Sequence, residues 1–437
     1  MMRRKPCRHS WWSWVMSEWI EAPLSKLVTF QKGRKVESSK FPGEGFAAYL
    51  GAAGIEGGDD GYAATQFAVI AKPTDTLMLW DGERSGLAGF GKQGIVASTV
   101  SKLTPNDLID PQYLFFALSD KFDWIQHRRT GTGVPHVPKD LGRILQLRYP
   151  KTQTVQKKIA TILSAIDSAI EKTEALIAKY QQIKAGLMHD LFTRGVLPNG
   201  QLRPPRSEAP ELYQETEIGW IPREWEVSGL AAKSRQSISW IRTGPFGSAL
   251  KGEHWRTYGH PVITIGALGE GVFTPEELLF IDNKDAARLI DFQLKAGDVV
   301  FSRVADVGRS VVVRNEQVGW IMSSNLMRLS VDELKVRPDF LQMALAGDAR
   351  INSQIRARVN SGGRDVANSD VLSQLRFVWP SIAEQDQIIE LSSKASHRIN
   401  FEIKKAAKIR LQKTGLMKDL LTGKVPITVE EPEVVDG

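Results

Sequence analysis

The 437-residue chain is predicted to contain two mixed α/β domains that alternate with two long helices, so that its second half repeats its first. Two observations predict this fold class. The segment KAGLMHDLFTRGV (184–196) recurs as KTGLMKDLLTGKV (413–425). In each half, a hydrophobic stretch that ends in proline, at Pro150 and again at Pro380, precedes a long pattern without proline. Similar segments in the same order indicate a duplicated unit.

Each half begins with a mixed α/β domain, predicted at 17–150 and at 223–380. Both segments are rich in glycine, valine and isoleucine and contain many turn signals, which favours short strands joined by turns. The segment PQYLFFAL (111–118) in the first domain recurs as PDFLQMAL (338–345) in the second. We therefore expect the two domains to share one fold.

A long helix follows each domain, predicted at 151–197 and at 381–425. Apolar residues recur there in steps of three, four or seven, which is typical of a heptad seam, and Thr173 is a polar interruption of the first seam. The seam positions are Ile159, Leu163, Ile166, Ile170, Ile177, Tyr180 and Leu187 in the first helix, and Ile388, Leu391, Ala395, Ile399, Ile403, Ala406, Ile409 and Leu416 in the second. A rod of about 35 helical residues spans roughly 50 Å. Because a single rod cannot bury its apolar stripe, the two helices are expected to pair as an antiparallel coiled coil with approximate two-fold symmetry.

Three segments are expected to lie outside these elements. Residues 1–16 are basic and rich in tryptophan, and they are predicted to form a disordered extension upstream of a second possible start at Met16. Residues 198–222 are polar and rich in proline, which predicts an extended linker. Residues 426–437 form an acidic tail that is expected to be disordered.

Composition excludes several classes of protein. Cys7 is the only cysteine, so the chain cannot form an internal disulfide or a thiolate metal site. No apolar run approaches the roughly 18 residues that span a bilayer, so a cytoplasmic location without membrane contact is expected. The net charge of +7 permits binding to nucleic acid, but residues 1–16 contribute four basic and no acidic side chains to it. A basic surface must therefore come from the placement of side chains.

The sequence offers no active site. GLAGFGKQ (86–93) resembles a phosphate-binding loop, but Gln93 replaces the required hydroxyl residue and a β-rich segment follows, so a hairpin turn is predicted. No Asp/Asn-Pro-Pro-aromatic tetrad for amino-methyl transfer is present, and the histidines show no H-E-x-x-H pattern. We expect no catalytic residue, no metal site and no cofactor bound by this chain.

Candidate DNA contacts lie in corresponding loops of the two halves. Arg303 and Arg309 flank the loop of FSRVADVGR, from which an arginine can reach guanine; a surface arginine or an ion pair with Asp306 is the alternative. A second loop offers backbone amides that could approach a phosphate, although an ordinary loop explains it equally well. Its residues are Gly362, Gly363 and Arg364, and those in the matching place of the first half are Thr130, Gly131, Thr132, Gly133 and His136. Lys251, Arg84 and Lys92 are weaker candidates, because a solvated surface position explains each of them.

Four motifs give the chain a resemblance to the DNA-specificity subunits of type I restriction–modification enzymes, from about residue 17 to residue 425. LRPPRSEAPELYQETEIGWIPREWE (202–226) is similar to the segment between the family's domains. GPFGSALK (244–251), followed by GHPVITIGAL (259–268), resembles the opening of its target-recognition domains, and GDVVFSRVADVGR (297–309) resembles their central strand and loop. The fourth motif is the repeated GLM-DL-T box after each long helix.

The first domain departs from this pattern. Its opening, FQKGRKVESSKFPGEGFAAYLG (30–51), lacks the FGS box, and TLMLWDGERSGLAG (76–89) stands in place of the central loop. Such a difference is expected where two domains of one chain read different half-sites, but it weakens the transfer of residue roles to the first domain.

The resemblance implies a set of partners and cofactors. The chain would bind double-stranded DNA and recognise a bipartite asymmetric target. Two adenine methyltransferase subunits that bind S-adenosylmethionine would dock on the helices and domains. Translocating nuclease subunits, with ATP and Mg²⁺, would join for restriction.

Docking is expected to use helix edges and the two GLM boxes, which are Gly186, Leu187 and Met188 and Gly415, Leu416 and Met417. A helix cap is the alternative for the two glycines. Two other functions stay open at this point. One is a coiled-coil scaffold that binds DNA without reading bases, for which the repeat is equally good evidence. The other is a specificity subunit in a methylation-only system that has no nuclease.

Overall fold

The structure is a computed structural model that describes residues 18–131, 133–234, 239–269, 271–304, 307–359 and 366–427. The chain divides into two compact units. Residues 1–175 and 403–437 form the first unit, and residues 176–402 form the second. Each unit contains one α/β domain, and each long helix begins in one unit and ends in the other. The prediction of two mixed α/β domains and two long helices is confirmed.

The α/β domain of the first unit contains eleven strands and three short helices among its described residues. In chain order these are β1 (Trp19–Pro23), β2 (Val28–Lys32), β3 (Ser38–Ser39), β4 (Phe46–Leu50), β5 (Tyr62–Ala64), β6 (Ile70–Ala71), β7 (Thr76–Leu79), β8 (Ala88–Gly89), β9 (Gly94–Val96), β10 (Val100–Pro105), α1 (Pro111–Asp120), α2 (Phe122–Gln126), α3 (Leu141–Ile144) and β11 (Gln146–Pro150). They form sheets with the strand orders β2-β10-β7-β8, β3-β5-β4-β9-β6 and β1-β11. The central strand β7 (TLML) is buried along its whole length.

The first long helix, α4 (Gln153–Thr193), leads into the second unit. The described elements that follow are β12 (Tyr213–Thr216), β13 (Gly219–Pro222), β14 (Glu226–Ser228), β15 (Ile241–Thr243), β16 (His260–Ile263), β17 (Leu279–Ile281), α5 (Asn283–Arg288), β18 (Val299–Ser302), β19 (Ser310–Val312), β20 (Ile321–Met322), β21 (Leu326–Leu329), α6 (Pro338–Gly347), α7 (Ala349–Val359), α8 (Ser369–Ser373) and β22 (Phe377–Trp379), before the second long helix, α9 (Ile382–Leu420). Their sheets have the orders β15-β21-β18-β19, β17-β16-β20 and β14-β22, and β12 pairs with β13.

The two domains repeat each other strand by strand. The order β2-β10-β7-β8 in the first corresponds to β15-β21-β18-β19 in the second, and β1-β11 corresponds to β14-β22. Each domain also has one parallel pair in a matching place, β4 with β9 and β16 with β20. This correspondence confirms the duplication that the repeated segments predict.

A close backbone approach requires glycine at the same point of both domains. Gly33 follows β2, and a Cβ atom there would lie 2.1 Å from the carbonyl oxygen of Ala97. Gly244 follows β15, and a Cβ atom there would lie 1.9 Å from the carbonyl oxygen of Ser323. Since only glycine fits such a contact, these two residues fix the loop that leaves the central sheet in each domain.

The long helices pair antiparallel within each unit. In the first unit, Lys413 Nζ lies 2.5 Å from Asp167 Oδ1, and Arg410 forms an ion pair with Glu174. In the second unit, the Arg398 guanidinium lies 5.3 Å from the centre of the Tyr180 ring. Contacts therefore move backward along α9 as they move forward along α4, as the seam predicts.

One seam position is wrong. Ile403, predicted to face the partner helix, is 45% exposed, whereas Glu402 is 1% exposed and pairs with Arg398 at 2.9 Å. Both residues continue the spacing between Ile399 and Ala406, since steps of three and of four are both allowed on a helix. The pattern could not distinguish them, and an ion pair makes the buried carboxylate acceptable.

The segment 198–222 is more than an extended linker. Its strands β12 and β13 form a hairpin, and the Arg203 side chain is 3% exposed. The proline-rich composition obscured these two four-residue strands, YQET at β12 and GWIP at β13. The other ranges assigned to domains, helices and tails stay predictions, and residues 1–16 lie outside the described part of the chain.

Candidate nucleic-acid interface

Four of the predicted contact residues fall outside the described part of the chain. Gly362, Gly363 and Arg364 lie in the undescribed range 360–365, and Thr132 is undescribed as well. Asp306, the alternative partner of the arginines in the second domain, is also undescribed. The interface is therefore built from the remaining candidates and their neighbours.

Arg303 and Arg309 stand at the two ends of the loop between β18 and β19. The N–H of Ser302 donates to the Arg309 carbonyl at 2.8 Å, which closes the base of this loop. The Arg309 side chain donates through Nη1 to the carbonyl of Leu268 at 2.8 Å, so the main chain holds it in place. No described residue accepts a hydrogen bond from the Arg303 side chain, and its Nε atom is buried. Of the two, Arg303 has terminal nitrogens available for a ligand.

Arg303 lines a groove of about 670 Å³ at the end of the central sheet of the second domain. Gly244 and the strongly exposed Phe246 form part of its wall, and Asn325 adds a side-chain amide. Arg242 also faces the groove, but it is paired with Asp291 at 3.1 Å and lies over the Phe292 ring. The groove thus combines a guanidinium, an amide and an exposed aromatic ring, which are groups that contact DNA bases.

The first domain places a charged cluster at its corresponding strand ends. Asp81 Oδ2 accepts from Lys32 Nζ at 2.8 Å, and Asp81 Oδ1 lies 2.7 Å from His136 Nδ1. The Lys32 and His136 side chains remain about half exposed. The carboxylate therefore orients two side chains that can still bond to a ligand.

His136 and Thr130 face each other across a turn. The N–H of Thr130 donates to the His136 carbonyl at 3.0 Å, and the N–H of His136 donates back at 2.8 Å. Gly131 lies within this turn with a φ of 105°. The structure thus brings these candidates together with Asp81 and Lys32, and their contact with DNA stays a prediction.

The weaker candidates lie at other positions. Arg84 forms an ion pair with Glu56 at 2.5 Å, and half of its side chain is exposed. Lys92 lies beside Gly57, and Lys251 is exposed at the start of a short turn of helix. No described contact joins these three residues to the groove or to the Asp81 cluster, and their roles stay predictions. The hairpin turn predicted at GLAGFGKQ (86–93) is wrong, because β8 within this segment pairs with β7 whereas β9, which follows it, belongs to a different sheet.

Backbone hydrogen bonds show that the groove of the second domain and the Asp81 cluster of the first lie at equivalent positions of the shared fold. The N–H of Trp80 donates to the Thr99 carbonyl at 2.7 Å, just as the N–H of Arg303 donates to the Asn325 carbonyl at 3.1 Å. The carbonyl of Trp80 accepts from the Val137 N–H at 2.9 Å, and that of Arg303 accepts from the Ala367 N–H at 2.8 Å. Trp80 thus corresponds to Arg303.

The neighbouring residues follow the same correspondence. The bridge between Asp81 and His136 matches the bridge between Val304 and Val366. The sequence interpretation missed Lys32, Asp81, Phe246 and Asn325. GIVASTVSKL (94–103) is similar to WIMSSNLMRL (320–329), and this similarity, which pairs Thr99 with Asn325, is the sequence signal that could have found Asn325.

In each GLM box the leucine and methionine pack against a core, whereas the glycine is exposed. Leu187 and Met188 pack against the core of the second unit, and Leu416 and Met417 pack against the core of the first. Gly186 and Gly415 are exposed inside α4 and α9, and the structure describes no atom within 4 Å of where a Cβ would be. The two glycines are therefore not helix caps, and the apolar pairs beside them stabilise the fold.

The described residues contain no group of three or more His, Cys, Asp or Glu side chains placed to hold a metal ion. No helix among them is both long enough and apolar enough to cross a membrane.

Two α/β domains of one fold, each with polar side chains at the same strand ends, define a protein with an internal duplication. Comparison with known proteins gives the family. Residues 16–182 match the model of the type I restriction modification DNA specificity domain. The type I restriction enzyme MjaVIII specificity subunit of Methanocaldococcus jannaschii is 26% identical over 431 residues, which cover 94% of each chain. The putative MjaX specificity subunit of the same organism is 25% identical over 48% of this chain and 49% of its own.

Solved structures agree on the fold. The S subunit of a type I restriction–modification system from M. genitalium superposes with a TM-score of 0.56 at 15% identity, over 94% of this chain and 97% of that one. A chain from a study of assembly and conformational transition in the type I system gives a TM-score of 0.54 at 14% identity, over 93% and 98%. Residues 16–182 thus match the DNA specificity domain of type I restriction–modification enzymes, and the chain is similar to a type I specificity subunit over nearly its whole length.

Proposed function

We propose that the chain directs DNA modification to a bipartite, asymmetric sequence, of which each α/β domain reads one short half-site. One observation carries this proposal. The two domains share a fold and a strand-end position, yet one presents Lys32, Asp81 and His136 there and the other presents Arg303 and Asn325. Different side chains on equivalent frames would select different bases, because base edges differ in their donors and acceptors.

The catalytic chemistry in this proposal belongs to partner subunits. Two adenine methyltransferase subunits would bind S-adenosylmethionine and transfer the methyl group. Nuclease subunits, with ATP and Mg²⁺, would add restriction where they are present. This chain would bind no cofactor and would supply the sequence specificity.

Adenine methylation in cells tests the proposal. Long-read sequencing would compare cells that carry the methyltransferase subunit with and without this chain. We expect one bipartite motif to be modified only when the chain is present. If the methylome stays unchanged while the two proteins still co-purify, the chain is a scaffold and the proposal fails.

The glycines of the GLM boxes support docking of the methyltransferase at these positions. Glycine inside a helix costs about 1 kcal/mol relative to alanine, and there is open space for a side chain at Gly186 and at Gly415. Nothing within the described chain therefore requires glycine at either position. Close approach of a partner's backbone would require it.

Replacing Gly415 by leucine should therefore separate stability from assembly. The thermal midpoint of the chain should stay the same or rise, because the helix loses its glycine. Assembly with the methyltransferase subunit, measured by analytical ultracentrifugation, should weaken at least tenfold. Ala407→Leu is the matched control, since it adds similar apolar bulk at an exposed position of α9 outside the box. Equal assembly by both variants would contradict docking at the glycine.

A further inference from the structure

We infer that each domain reads a base pair with side chains at the same strand ends: Arg303 with Asn325 in the second domain, and Lys32 with His136, held by Asp81 beside the corresponding Trp80, in the first. This inference rests on the proposed function and assigns specificity-determining residues within it. It names the strand ends after β18 and β7, and not the surrounding surface, as the site that distinguishes one sequence from another.

The availability of its side chain makes Arg303 the reader in the second domain. Arg242, Arg288 and Arg314 are each bound to a carboxylate of the same domain. Arg303 has no such partner among the described residues, although it lines the groove. A guanidinium with free terminal nitrogens matches the O6 and N7 acceptors that guanine presents in the major groove. Guanine is therefore the base expected opposite Arg303.

Asn325 and Phe246 complete this groove. The Asn325 carbonyl accepts from the N–H of Arg303 at 3.1 Å, so the two residues stay adjacent while the Asn325 amide group is exposed. Phe246 is 88% exposed, which leaves a whole ring for contact with a thymine methyl group or a sugar. Exposure of so large an apolar side chain beside a free guanidinium fits a groove that a ligand fills.

The first domain has a different set of groups on the same frame. Asp81 accepts from Lys32 and contacts His136, so both side chains are held with their outer atoms exposed. Lys32 keeps two ammonium donors for base acceptors, and the second ring nitrogen of His136 faces away from its bond to Asp81. Two residues beyond Gly33, Lys35 occupies the place that Phe246 has beyond Gly244. The first domain thus has a positive, hydrated site where the second domain has the aromatic ring of Phe246.

Conservative variants separate base reading from phosphate binding. Arg303→Lys keeps the charge but loses the two-pronged fork, so phosphate binding survives and guanine selection does not. Asp81→Asn leaves Lys32 and His136 in place but removes the charge that orients them. Arg314→Lys is the control for Arg303→Lys, because Arg314 pairs with Asp339 in the same domain.

The experiment uses the assembled complex with the methyltransferase subunits. Short duplexes would carry the motif found by methylation sequencing or one base-pair substitution at each position, and binding would be measured at low salt so that weakened complexes still form. A bidentate contact discriminates against a wrong base by roughly 5- to 150-fold. Arg303→Lys should reduce this ratio to near one at a single G·C position of one half-site. Asp81→Asn should do so in the other half-site only.

The possible outcomes distinguish failure of the proposed function from failure of the assignment of these residues. If the wild-type complex discriminates at no position, the proposed function fails. If it discriminates in both half-sites and both variants keep every ratio, the assignment of these residues fails while the proposed function stands. The assignment also fails if Arg314→Lys changes the ratios as much as Arg303→Lys does. Thermal midpoints close to the wild type would show that the variants are folded.

Discussion

Replacing Glu384 by glutamine should lower the free energy of unfolding of the second unit by about 3–5 kcal/mol, the cost of leaving a buried charge without its partner. Glu384 lies at the start of α9 with an 8% exposed side chain, and it forms an ion pair with Arg203, which is 3% exposed. Its carboxylate also accepts from the Val196 N–H at 2.8 Å and from the Trp225 Nε1–H at 3.0 Å. One carboxylate therefore joins the end of α4, the segment 198–222 and the domain that follows.

The pKa of Arg203 indicates whether burial or the bound carboxylates have the larger effect on its charge. Burial alone lowers the pKa of the guanidinium, but the hydrogen bonds that it donates to Glu384 and Glu224 outweigh that effect, so its pKa is raised. In the glutamine variant only Glu224, which is 77% exposed, would still face the charge. Water screens so exposed a carboxylate, and it cannot replace Glu384.

Asp386→Asn is the matched control for Glu384→Gln. Asp386 lies two residues further along the same helix and binds Arg337 with two hydrogen bonds, of 2.7 and 2.9 Å, but both side chains are well exposed. Chemical denaturation should leave the midpoint of this variant unchanged. A similar loss of stability in both variants would contradict the importance of burial at Glu384.

Replacing Gln156 or Gln385 by leucine should cost about 2–4 kcal/mol, because each change removes three hydrogen bonds between a buried side-chain amide and the backbone. Gln156 accepts from the Asp110 N–H at 2.6 Å and donates to the carbonyls of Pro150 and Leu108. Gln385 repeats these bonds with Arg337, Pro380 and Lys335. Both glutamine side chains are fully buried, so leucine would fill the same space without making these bonds.

Hydrogen exchange locates the effect of each glutamine. Gln156→Leu should speed exchange at the start of α1 in the first unit, and Gln385→Leu should do so at the start of α6 in the second. Gln182→Leu, at an exposed position in the middle of α4, should leave exchange at both sites unchanged. Loss of protection in only one of the two units would show that the two glutamines do not contribute equally to stability.

The sequence predicted the features that repeat over many residues. The GLM segments, the closing prolines and the heptad spacing are each read from residue types alone, and the antiparallel contact of Asp167 with Lys413 agrees with them. The error at Ile403 arose because steps of three and of four are equivalent on a helix. The ion pair between Glu402 and Arg398 determines which of the two residues faces inward, and it depends on the packed structure.

The strand-end cluster was harder to predict. Lys32, Asp81 and His136 are separated by 49 and 55 residues along the chain, and no spacing rule connects them. Arg303 was singled out from its motif, but its availability became evident only when the carboxylates around the other arginines were placed. Long-range strand pairing creates such sites, and local patterns do not encode it.

Exchange of residues 17–150 for the corresponding domain of a specificity subunit with a different target tests the central claim most directly. The modified motif would be read by long-read sequencing in cells that carry the matching methyltransferase subunit. We expect one half of the bipartite motif to change to the donor's half while the other half stays as it was. A motif that changes in both halves, or that stays unchanged although the hybrid assembles, would contradict independent reading by the two domains.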